Sequence, residues 1–365
     1  MTLRSSHDGS VPGHPLAHGK SHSATFDFTL PEALEAHEPP EARGITRDAV
    51  NLLVSCKADD AMWHVRFAEI GAFFQAGDVL VINTSGTLPA AVAAQRADGT
   101  QLRLHLSTRL PGDIWTVELR QVSGSKTVPF AGGRAGETLR LPDAAVTLLV
   151  RYREGSRLWR AKLTLPAPLE AYLAAHGKPI HYGYLNDDWD IRYYQTVYAT
   201  EAGSAEMPSA GRAFTPEIIT QLVAKGVTIA PLLLHTGVAS LEDHEPPYVE
   251  YYRVPPQTAS VVTQANAEGR RVIAVGTTVV RALETVTDAN GATHPGEGYT
   301  ELLITPERGV RAVSGILTGW HEPRATHLLM LAAIASRRHL AKAYRAALER
   351  GYLWHEFGDM HLILP

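Results

Sequence analysis

The alternation of hydrophobic and polar positions changes rhythm along this chain, and each change marks a different kind of element. Residues 1 to about 24 are rich in Ser, Gly, Pro and His with little to bury, which predicts a disordered tail. From Phe26 to about Pro89 the chain reads as folded, with VLVIN (79–83) as a buried strand and Thr84-Ser85-Gly86 as its turn. Between about Ala90 and Pro166 the period shortens to two. The runs QLRLHLS, WTVELRQV, ETLRL, AVTLLVRY and WRAKLTL alternate apolar with polar and are broken by Gly, Pro and Asp. That rhythm predicts an antiparallel sheet or small barrel.

After a bridging segment (about 167–190), strands alternate with helices. Helices are expected at 216–225, near 256–267 and over 278–287, and strands at 227–235, 271–275, near 301–305 and 310–317. Thr326 opens a helical pair ending near Gly351. Such alternation predicts an α/β layer. The clearest helix start is at Thr215, which can cap, followed by Pro216 at the first helical position and Glu217 at the positive end, with Gly226 as the stop.

Composition narrows the setting. At 365 residues the chain exceeds what one core usually serves, so two domains are expected. No apolar run approaches the roughly 20 residues that span a bilayer, which predicts no membrane partner. The single cysteine, Cys56, excludes an internal disulfide framework and a cysteine-rich zinc site, and fits a reducing cytoplasm. A net charge of -4 gives the whole molecule no electrostatic footprint for a phosphate backbone.

Chemistry-bearing motifs are few. His-Glu-Pro occurs at His37, His244 and His321, but proline breaks the helix that a zinc hydrolase needs, and no second His follows four residues on. His7, His14, His18 and His22 in the tail lack the regular spacing of a ligand set. No metal is therefore expected. Residues 194–214, YQTVYATEAGSAEMPSAGRAF, let a backbone approach a flat ligand closely and empty into the helix start at Thr215. In VIAVGTTVVRALE (272–284) a buried strand ends at Gly276, Thr277 or Thr278 caps the next helix, and Arg281 and Glu284 lie three apart on one face. Ligands gather at such carboxyl ends of strands. His235 sits where an apolar strand meets a small-residue turn, and Asp359 in a tight turn of FGDMH.

In order along the chain, FDFTLPEAL, PEARGITR, GDVLVIN, YQTVYA, PSAGRAFT, LHTG, RVIAVGTTVVRALE, GILTGWHEPRAT and FGDMHLI resemble the S-adenosylmethionine:tRNA ribosyltransferase-isomerase family of queuosine biosynthesis. The resemblance covers everything after the tail. With the composition shift, it implies an α/β core (25–89 and 180–365) interrupted by an antiparallel β-barrel-like insertion domain (90–179). It implies S-adenosylmethionine as cosubstrate, giving its ribosyl unit to the aminomethyl group of a 7-deazaguanine base in tRNA. The ribosyl rearranges to an epoxycyclopentanediol while adenine and methionine leave.

On that reading Tyr194, Gln195, Pro208, Ala210, Gly211, Arg212, Gly276, Thr277, Thr278 and Arg281 are expected to bind the cosubstrate. His235, Glu284, His321 and Asp359 are the acid–base candidates. The insertion is expected to carry no catalytic group, with Arg96, Arg103, Arg109 and Arg120 as its cations for tRNA. Several motifs depart from the family pattern. Gly86 and Ala91 stand where the family has arginines, and Arg212-Ala213 where it has leucine and histidine. These departures leave the acceptor open between tRNA and a small molecule used by a divergent transferase or lyase, with a non-catalytic nucleoside-binding protein as a third reading. Arg212 would hold the carboxylate of a small acceptor.

Overall fold

A computed structural model describes residues 28–124, 126–154, 156–238 and 247–365 of the chain. The expected tail with its four histidines lies outside the described residues, as does the His-Glu-Pro at 244–246.

Strand Val79–Asn83 is buried at all five positions, as a continuous apolar run requires. It lies inside a nine-stranded mixed sheet of order Gly296–Thr300, Glu250–Val254, Thr228–Leu234, Val79–Asn83, Val272–Val275, Gly315–Gly319, Met360–Leu364, Asn51–Cys56 and Met62–Arg66. Four central strands, Thr228–Leu234 to Gly315–Gly319, run parallel, so their carboxyl ends open on one edge. Helices cover both faces. Pro256–Ala267 and Thr277–Thr285 share a core with Val79, Val81 and Ala274, and Pro216–Ala224 packs with Leu80 and Ile273 on the other side. Thr215 caps Pro216–Ala224 by accepting the Ile218 N–H at 3.3 Å, and Gly226 ends it at φ +92°.

A second sheet closes on itself. Ala91–Gln95, Gln101–Leu110, Ile114–Ser123, Leu158–Thr164, Ala144–Arg151 and Thr138–Leu141 pair in that order, and the last returns to the first, giving a six-stranded antiparallel barrel. Closure removes the sheet edges that alternating strands would otherwise expose. Leu104, Val117, Leu119, Leu139, Val146, Leu148 and Leu158 fill its interior. The chain leaves the main sheet after Val79–Asn83, enters the barrel at Ala91, and returns through helix Leu169–His176. Gly177–Lys178 then pairs with Val92 and Ala91, so the entry and exit lie side by side.

Several elements differ from the sequence reading. The expected turn Thr84-Ser85-Gly86 instead feeds a short strand, Ser85–Thr87, held by parallel pairing with Glu201–Ser204, and the strand expected at 310–317 forms at Gly315–Gly319. The strand expected near 301–305 forms at Gly296–Thr300, where GEGYT has no apolar run and is held by pairing with Glu250–Val254. Gly276, rather than Thr277 or Thr278, occupies the cap of Thr277–Thr285, at φ +92° with no side-chain cap bond.

Candidate functional site

Where the parallel strands end, the main sheet faces the barrel across a cavity of about 700 Å³. Its floor is the turn from Val275 through Gly276 into Thr277 and Thr278, with Pro208 and Ala210 beside it. Gly276 is required there. Its φ of +92° is a backbone region that L side chains rarely adopt, and a Cβ would meet that of Ala210 at 3.2 Å. Thr278 Oγ1 accepts from Asn83 Nδ2 at 3.4 Å, and Asn83 in turn binds both backbone groups of Leu234, which ties neighbouring strand ends together.

Arg281 projects from the same helix and pairs with the buried Glu250, whose other oxygen accepts the Gly237 N–H at 3.0 Å. The barrel supplies the opposite wall. Glu118 binds Arg120 at 2.9 Å and Arg157 at 2.6 Å, with His105 at 3.8 Å. Burial and the nearby arginines push the His105 imidazole down to about 3, so it is neutral. The barrel is expected from its sequence to carry no catalytic group, and the structure shows these side chains lining the cavity. Period-two strands turn alternate side chains inward, and near the rim those positions face the cavity.

The third wall is histidine- and carboxylate-rich. His321 Nε2 lies 2.9 Å from Thr318 Oγ1, and its ring stacks on His327 with centroids 4.6 Å apart and planes within 2°. Burial, followed by the neighbouring imidazoles of His327, His361 and His355, holds His321 well below its ordinary value, and burial pushes His327 down to about 4. Both imidazoles are neutral near pH 7. Tyr182, Tyr184 and His355 form a stacked row, with His355 3.9 Å from Tyr184. Beside them, Glu356 keeps Oε2 shielded from solvent with no hydrogen-bond partner, and burial pushes its carboxyl up to about 7.

Of the residues singled out in the sequence, Arg120, Pro208, Ala210, Gly276, Thr277, Thr278, Arg281 and His321 line this cavity. The others lie elsewhere. His235 is wedged between Ser85 Oγ at 2.8 Å and the Tyr251 ring. Glu284 accepts from Arg308 at 2.7 Å and from the N–H groups of Arg311 and Ala312 at 2.6 and 2.8 Å, so its oxygens are taken. Asp359 accepts from the Asn51 backbone and side chain and the Leu353 N–H, holding strand Asn51–Cys56 in place. Arg212 is 3% exposed and turned away from the cavity, bound to Glu41 at 2.6 Å and the Tyr193 carbonyl at 2.9 Å. That geometry removes the carboxylate-holding role expected of it.

Gln195 clamps the Thr87 backbone from both sides, at 3.0 and 2.8 Å, and Tyr194 lines a separate cavity. Gly211 makes room for Tyr198, whose hydroxyl would lie 2.0 Å from a Cβ there. His327, His355, Glu356 and Arg157 reach the cavity without a motif that marks them in the sequence.

A family model described as queuosine biosynthesis protein matches residues 23–363. The chain belongs to that family. It is 36% identical to the S-adenosylmethionine:tRNA ribosyltransferase-isomerase of Moorella thermoacetica, over 93% of this chain and 98% of the relative. The protein of the same name from Desulfitobacterium hafniense is also 36% identical over the same shares. The crystal structure of the S-adenosylmethionine tRNA ribosyltransferase from Thermotoga maritima is 30% identical, covers 93% of this chain and 99% of its own, and superposes with a TM-score of 0.51. The family's barrel-and-sheet architecture is therefore the architecture of this chain. No helix among the described residues is long and apolar enough to cross a membrane.

Proposed function

We propose that the protein is an S-adenosylmethionine:tRNA ribosyltransferase-isomerase, forming epoxyqueuosine on a 7-aminomethyl-7-deazaguanine base in tRNA. The observation that carries this reading is the cavity between barrel and sheet, where the Gly276 turn faces neutral imidazoles and a carboxyl with one unpartnered oxygen. The names of the relatives support it, because each joins S-adenosylmethionine with tRNA. A small-molecule acceptor has no such support, and the arginine it relied on, Arg212, is spent on Glu41.

The residues present fit the cosubstrate. Gly276 and Ala210 leave a cradle that a side chain would fill, and Glu322 offers negative charge for a sulfonium or an ammonium. When bound, S-adenosylmethionine supplies a sulfonium that acidifies its 5′-carbon and a ribosyl group for transfer. His321 and His327, neutral near pH 7, each carry one donor and one acceptor nitrogen with which to position a leaving base. Glu356, poised near neutrality, can take the proton that keeps an acceptor amine from reacting. The two domains close over the site from opposite sides, which limits water and strengthens each of these interactions.

The test is to incubate the protein with S-adenosylmethionine and tRNA carrying the aminomethyl base. Adenine and methionine should appear only when that tRNA is present, with the tRNA gaining the epoxycyclopentanediol. Adenine released without regard to tRNA, or no adenine at all, would overturn the reading.

A further inference from the structure

A second cavity of about 590 Å³ lies beside the first, between the barrel entry and the 188–194 segment. His181 lines both, so the two are neighbours across a single residue. Nothing in the proposed chemistry uses this space. We propose that it is a subsite for a nucleobase adjacent to the modified one in the tRNA, an inference that rests on the function proposed above.

Its walls are flat and apolar in part, from Leu88, Pro89, Leu173, Ile191 and Tyr194, with the Trp189 indole among them. Trp189 Nε1 is shielded from solvent and has no acceptor. That atom is closed off from the open cavity, so the indole offers ring surface there rather than its N–H. An acceptor is present as well. Asp188 is bound by Lys178 at 2.8 Å, and that bond holds its carboxyl below the ordinary carboxylate range, so it is an ionised acceptor. An aromatic wall with a carboxylate beside it matches a nucleobase, which has two flat faces and an edge that carries donors. A phosphate does not match. Glu170, Asp188 and Asp190 outnumber Lys178 and His181 around the cavity, and their charge repels it.

The wall is also built rather than loose. Gln195 holds both backbone groups of Thr87, and the Tyr194 carbonyl accepts from Thr87 Oγ1 at 2.7 Å. The segment YQTVYA thus fixes the second cavity against the barrel entry. An enzyme that works on one base of an RNA loop must splay that base away from its neighbours, and proteins commonly receive such unstacked bases on aromatic side chains.

The experiment uses the full-length protein with an anticodon stem-loop RNA carrying the aminomethyl base. A second RNA of the same sequence is abasic at the nucleotide 5′ or 3′ to it. Trp189→Ala should raise the KM for the intact RNA by about ten- to a hundredfold, the range that loss of one stacked base gives. Trp189→Phe should raise it less, and Asp188→Asn should alter discrimination among bases at the flanking position. S-adenosylmethionine affinity and kcat should stay near wild type in all three. One abasic RNA should raise the wild-type KM to the Trp189→Ala level and have no further effect on that variant. Abasic penalties of equal size in wild type and Trp189→Ala, or unchanged KM in every variant, overturn the subsite while leaving the activity intact. Should Trp189→Ala fail to fold, Trp189→Phe, Asp188→Asn and the abasic RNA on wild type decide the matter alone. A wild-type protein that never turns over tRNA removes the activity, and the subsite with it.

Discussion

His321 and His327 face each other across 4.6 Å with parallel rings, so a proton on one is felt at once by the other. His327 falls from its ordinary 6.5 to about 4, by burial first and by Arg281 second. Between those values the unfolded chain binds a proton that the folded chain refuses, so stability falls as pH drops through that window. His327→Gln removes this dependence. Thermal melts at pH 7.5 and pH 5 should show a smaller loss of Tm on acidification in the variant than in wild type. An equal loss would place the acid sensitivity elsewhere.

Glu356 has the opposite sign. Its carboxyl rises from 4.5 to about 7, so the folded state holds a proton that the unfolded state has released, and stability is lost as pH rises through that interval. Glu356→Gln should therefore raise Tm at pH 8 and leave it unchanged at pH 4. If Glu356 also deprotonates the acceptor amine, the same variant loses about a hundredfold in kcat. Its pH–rate profile then lacks the acid limb near 7. Retention of that limb would assign it to another group.

Glu284 was singled out in the sequence as a candidate for proton transfer, but its partners give it a clear structural task. Glu284→Gln leaves Arg308 without its counter-charge and weakens the bonds that hold Arg311 and Ala312. The expected cost is about 3 kcal/mol in urea denaturation, the scale for breaking a buried pair. Well below its Tm, the variant should keep wild-type kcat. A hundredfold loss of turnover in a fully folded sample would restore the catalytic role.

The Arg281–Glu250 pair offers a contrast, because both residues line the cavity. Glu250→Gln frees Arg281 inside the site and loosens the Gly237 turn, since Glu250 accepts that N–H. S-adenosylmethionine affinity, read by calorimetry, should weaken along with stability. The double variant Glu250→Gln, Arg281→Met should recover much of the stability, because the uncompensated charge is gone, without recovering affinity. Recovery of both would make the pair purely structural.

Where local chemistry determined an element, it could be read from the sequence. Thr215, Pro216 and Gly226 start and stop their helix through bonds within a few residues, and the period-two runs of 90–166 announce an antiparallel sheet or small barrel, although its closure shows only in the fold. Gly296–Thr300 could not be read, since only its neighbour Glu250–Val254 makes GEGYT a strand. The same division runs through the site. Gly276, Thr277, Thr278 and Ala210 belong to short small-residue turns and do line the cavity. The tasks of Glu284 and Asp359 depend on Arg308 and Asn51, which are distant along the chain, and no spacing rule connects them. His327 and Glu356 sit in segments with ordinary patterns and acquire their character only from the burial that folding imposes.

Strand Met360–Leu364 lies between Gly315–Gly319 and Asn51–Cys56, deep within the main sheet. Asn51–Cys56 and Met62–Arg66 therefore leave the ribosome as a hairpin whose inner edge has no neighbour until about 300 further residues are made. At roughly 5–20 residues per second that wait lasts tens of seconds. The barrel, built from one continuous stretch, can close during it, whereas an apolar strand (Leu52, Leu53 and Val54) stays open to wrong partners. Synthesis rate and chaperone supply should thus govern the yield of folded protein more strongly than the stability of the finished molecule does.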